Sequence, residues 1–69
     1  MTQDEKNIII EEAQKVVDNY NDTPKDPTYY GVRVKYSEQF VTIQTLYMRL
    51  TGNMLAISGD GRKVEEKEV

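Results

Sequence analysis

The sequence predicts an α+β fold, with one N-terminal amphipathic helix packed on a three- to four-stranded antiparallel meander. Three observations carry that expectation. Apolar residues recur at helical spacing as far as Tyr20, the period drops to two from Tyr29, and dense turn signals punctuate the second half of the chain. Residues 1–69 are read as one small domain, because a chain of this length has room for a single modest core.

Residues 2 to about 20 read as the helix. Thr2-Gln3-Asp4-Glu5 has the T-x-x-E spacing in which hydroxyl and carboxylate cap each other's backbone amides. At about 100° per residue, Ile9, Ala13, Val16, Val17 and Tyr20 form one stripe with Ile10 at its edge. Ile8 stands about 100° off that stripe, as an exposed apolar side chain or as a contact for a partner. Asn21 to Thr28, with Pro24 and Pro27, is a connector that cannot continue a helix.

From Tyr29 the alternation of Tyr30, Val32, Val34 and Tyr36 with Tyr29, Gly31, Arg33 and Lys35 predicts a strand whose first set faces the helix. Residues Gln39 to Leu50 admit two readings. Val41, Thr42, Ile43 and Thr45 favour a second strand, with a β-bulge near Thr45 absorbing a slip in phase and Ser37-Glu38 as the connection. The alternative is an α-β-α-β-β order with residues 38–51 helical, Ser37 as N-cap and Gly52 as the left-handed terminator. Met54 to Ser58 is a short apolar run closed by the turn Gly59-Asp60-Gly61. The charged tail 62–69 returns as an edge strand through Val64 or stays frayed.

Composition narrows the chemistry. With neither Cys nor His, the chain lacks disulfides, the usual zinc, copper and haem ligands, the commonest general base and the thiol nucleophile. No catalytic residue, metal or cofactor is expected, and no small-molecule substrate is evident. Gly59-Asp60-Gly61 lacks the frame of a phosphate loop and the acid spacing of an EF-hand. Twelve acidic residues against nine basic give a net charge of −3, the wrong sign for a generic DNA binder. No apolar run approaches the ~20 residues that span a bilayer, and no basic start leads into a hydrophobic signal segment, so a cytoplasmic protein without membrane association is expected.

What remains is an interaction module, not an enzyme, that binds another protein or itself. The candidate surface is the outer sheet face, on which the strand readings gather Tyr29, Arg33, Lys35, Tyr47 and Arg49, with Ile8 as a separate apolar point. Two rings and three cations on one sheet are also the ingredients of a stacking platform, so the alternative is a nucleic-acid-binding module. A two-fold homodimer is expected because so small a core leaves little stabilisation in hand. Size, acidic isoelectric point and the scarcity of catalytic side chains resemble the small accessory proteins of phages and other mobile elements.

Overall fold

The chain begins its first helix where the capping box predicts. In a computed structural model that describes residues 1–69, the Glu5 amide donates to Thr2 Oγ1 at 3.2 Å and the Thr2 amide donates to Glu5 Oε1 at 3.0 Å. Donation from the Thr2 amide, and then from the Thr2 hydroxyl, holds the Glu5 carboxyl below the usual carboxylate range. Helix α1 runs Gln3–Asp22 and buries Ala13, Val16 and Val17. Thr23 ends it in an extended conformation, and Pro24 follows, unable to extend the ladder. Asp26 then accepts from the Thr28 amide at 2.9 Å, capping a single 3₁₀ turn, Pro27–Tyr29.

Helix α2 runs Tyr30–Thr51 without interruption. Here the structure overturns the predicted strand at Tyr29–Tyr36 and the favoured strand at Gln39–Leu50, together with the bulge near Thr45. The alternative with residues 38–51 helical is right about the helix and about its end. It is wrong about its start, since Ser37 lies in mid-helix rather than at an N-cap. The physical reason is a spacing of three and four that runs unbroken through Arg33, Tyr36, Phe40, Ile43 and Tyr47 and gives α2 one continuous core-facing stripe. Packing of that stripe outweighs the weak strand preference of the β-branched residues. Thr42 and Thr45 also settle into the helix by donating to the carbonyls of Glu38 and Val41, at 3.0 and 2.9 Å. Gly52, at φ 76°, closes α2 with its amide donating to Met48 O at 2.8 Å.

Strands β1, Met54–Ile57, and β2, Val64–Lys67, pair antiparallel with Leu55 opposite Glu66 and Ile57 opposite Val64. The fold is therefore α+β, with two helices and a two-stranded sheet where three to four strands were expected. The tail does return as an edge strand through Val64. Its turn is built as the glycine-rich signal implies: Gly61 takes φ 75°, and Asp60 accepts from the Ser58 hydroxyl and from the Arg62 amide.

The two helices form one layer and the β-hairpin lies across one side of it. Ala13, Val16 and Val17 from α1 meet Phe40 and Tyr47 from α2, and Leu55 and Val64 complete the core from the hairpin. Backbone groups at the hairpin's margins are answered by helix side chains. Gln14 accepts from the Val64 amide at 2.9 Å and donates to Arg62 O at 2.7 Å, Asn21 donates to Gly61 O at 2.9 Å, and Gln44 donates to Leu55 O at 2.8 Å. The molecule measures 40 × 20 × 20 Å, set by the length of α2. No helix is long and apolar enough to cross a membrane.

Candidate interaction surface

The six residues nominated from the sequence do not share a face. Residues two apart lie on one side of a strand but stand about 200° apart on a helix, so making 30–51 helical disperses them. Tyr29 ends the 3₁₀ turn and is exposed. Lys35 lies exposed along α2 and Arg49 in its last turn. Arg33 is half-buried and committed: its guanidinium stacks 4.2 Å from the centroid of Tyr20 and donates to Thr23 O at 3.1 Å and Tyr20 O at 3.4 Å. It thus answers the last carbonyls of α1 and the negative end of that helix.

Tyr47, expected on the outer surface, has no exposed area at all. Its hydroxyl donates to the Glu66 carboxylate, which also accepts from Asn53 Nδ2 at 3.3 Å. Burial first, and the neighbouring Glu66 second, push the Tyr47 hydroxyl up to about 12, while the Tyr47 and Asn53 donors hold Glu66 below the usual carboxylate range. The basic-aromatic sheet face is therefore not formed. Ile8 alone of the six is an exposed aliphatic residue, 65% exposed on α1.

A different surface is assembled instead. Gln14 and Asn21 mark the hairpin side of α1, and Gln44 marks it on α2. On the opposite side, helix phase places Ile8 and Ile9 of α1 and Val32, Ile43, Leu46 and Leu50 of α2. Ile9 and Ile43 are half-buried against the core, whereas Val32 is 43% exposed and Leu46 and Leu50 are each 50% exposed. The helices run antiparallel, with Tyr20 beside Arg33 at one end and Lys6 within electrostatic reach of Glu66, the acceptor of Tyr47, at the other. That order brings Ile8 and Ile9 level with Leu46 and Leu50. Leu46 and Leu50 were not among the residues nominated from the sequence, although their four-residue spacing is itself a helical signal.

A second apolar feature lies between the helices, a cleft of about 310 Å³ lined by Val16, Tyr20, Tyr36, Phe40 and Val41 and bounded by Ile57. The carboxylates whose affinity for protons is lowered, Glu5, Asp26, Asp60 and Glu66, each owe it to a local hydrogen bond that caps a turn or ties the hairpin down. No cluster of three or more acidic, His or Cys side chains is placed to hold a metal ion. Comparison with protein-family models, curated proteins and solved structures finds no match to this chain.

Proposed function

We propose that the chain is a non-enzymatic protein-interaction module that works through the side of its helix pair facing away from the hairpin. The observation that carries this reading is the grouping of Ile8, Leu46 and Leu50 at one end of that side, each at least 50% exposed. Scattered single hydrophobes are ordinary, but exposed aliphatic residues brought level on two neighbouring helices are a feature of interaction sites. The balance of the whole chain supports it, since eleven large hydrophobic residues are exposed against seven residues in the core. The ionisable groups with displaced proton affinities support a non-catalytic reading too, because each is occupied by a structural hydrogen bond. A cytoplasmic setting belongs to the same proposal.

A photocrosslinking residue placed at Leu46 in the native cell tests it, with Lys63 on the hairpin turn as the reference position. A discrete polypeptide adduct is expected at 46 and not at 63. No adduct at 46, or equal adducts at both, contradicts the reading.

A further inference from the structure

Resting on that reading, we propose that the partner is a second copy of this chain, seated two-fold on the outward side of the helix pair to make a four-helix layer with a β-hairpin on each outer side. The first support is area. The chain exposes 5063 Å², whereas a folded monomer of 8.0 kDa exposes roughly 4,450 Å². The excess of about 600 Å² is surface that an elongated chain leaves uncovered, against the ~800 Å² that each partner buries in a standard interface. Shape agrees with this, since the radius of gyration is 12.6 Å against about 11 Å for a compact chain of 69 residues.

The second support is spacing. Val32, Gln39 and Leu46 recur every seven residues, and so do Tyr36, Ile43 and Leu50, each set offset from the other by four and three. This is the a/d spacing of a helix that packs along one seam, of which the monomer uses Tyr36 and Ile43. Gln39 is the one polar member of the first set and sits where a register-setting side chain is tolerated.

The third support is charge. Helix α1 carries six acids and two bases, while α2 carries three bases and one acid. A two-fold interface must be self-complementary, and opposite signs on the two helices let α1 of each copy face α2 of the other. Glu5 and Glu12 lie on this side of α1 and Lys35 lies on this side of α2, all exposed.

Sedimentation equilibrium on the purified full chain over a dilution series tests the proposal. The expected mass is twice 8.0 kDa, falling toward one chain on dilution. Leu46→Glu is expected to weaken association at least about 30-fold, the equivalent of one interface hot spot. Val41→Glu, an exposed position on the other side of α2, leaves the mass unchanged. Circular dichroism checks that each variant keeps its helices, and Leu50→Lys replaces Leu46→Glu if that variant loses them. A wild-type monomer at every concentration, a dimer that survives the patch variants, or equal loss in Val41→Glu overturns the homodimer. The outcomes separate the two proposals: a purified monomer that still yields an adduct of another polypeptide at position 46 in cells removes the second copy and leaves the interaction module standing.

Discussion

Tyr47 serves the fold twice, with a ring that fills the core and a hydroxyl that ties α2 to the hairpin through Glu66. Tyr47→Phe keeps the ring and removes the tie, with an expected loss of about 1 kcal/mol in chemical unfolding. Tyr47→Ala leaves a cavity and costs about 3–5 kcal/mol, comparable to the whole contribution of so small a core, so that variant is expected not to fold as a monomer. The same pair sets a pH dependence at both ends. The folded pKa of Tyr47, about 12, lies above its ordinary 10.0, so its contribution is full below pH 10 and is lost as pH rises toward 12. Glu66 is displaced downward from 4.5, as are Glu5, Asp26 and Asp60 from their own ordinary values, so their contributions are full above those values and are lost as pH falls through the folded ones. Melting temperatures across pH 2–6 are expected to fall more steeply for wild type than for Tyr47→Phe. Parallel curves would show that Tyr47 does not hold the Glu66 carboxylate in its ionised form.

At the scale of elements, each side-chain tie gives a local prediction. Gln14→Ala removes the acceptor of the Val64 amide and the donor to Arg62 O, and is expected to speed hydrogen exchange at Val64 about tenfold while the amides of α2 exchange as before. Uniform acceleration across the chain would mean that hairpin and helices open together. Gly52→Ala, forced into φ 76°, is expected to cost about 1 kcal/mol although the space beside it is open. These ties also show where the fold was readable from sequence. The capping box of α1, the left-handed end at Gly52 and the Gly59-Asp60-Gly61 turn were legible because each depends on a few residues close in the chain. Helix α2 was misread because two helical stripes overlap in it. Arg33 and Tyr36 belong to the core stripe, while Val32 and Val34 flank it on opposite sides, and together they imitate alternation with period two. The signal against a strand was the absence of Gly or Pro from Val32 to Thr51, which left Ser37-Glu38 no means of turning the chain. The candidate surface was misplaced for the same reason, since it was inferred from the face of a strand. The exposure of Ile8 alone was legible, because it stands off the stripe of a correctly read helix.

At the scale of the molecule, length and exposure are linked. Two helices of 20 and 22 residues with a hairpin on one side cannot enclose a deep core, so the opposite side keeps its aliphatic residues in water. In the proposed homodimer, a second copy on that side shelters Leu46 and Leu50 and adds to the stabilisation of a small core. The most direct measurement of this claim is thermal unfolding of the wild-type chain and Leu46→Glu at protein concentrations spanning two orders of magnitude. Folding coupled to association makes the wild-type midpoint rise with concentration and leaves the variant's midpoint fixed and lower. A wild-type midpoint that does not move on dilution would contradict the account.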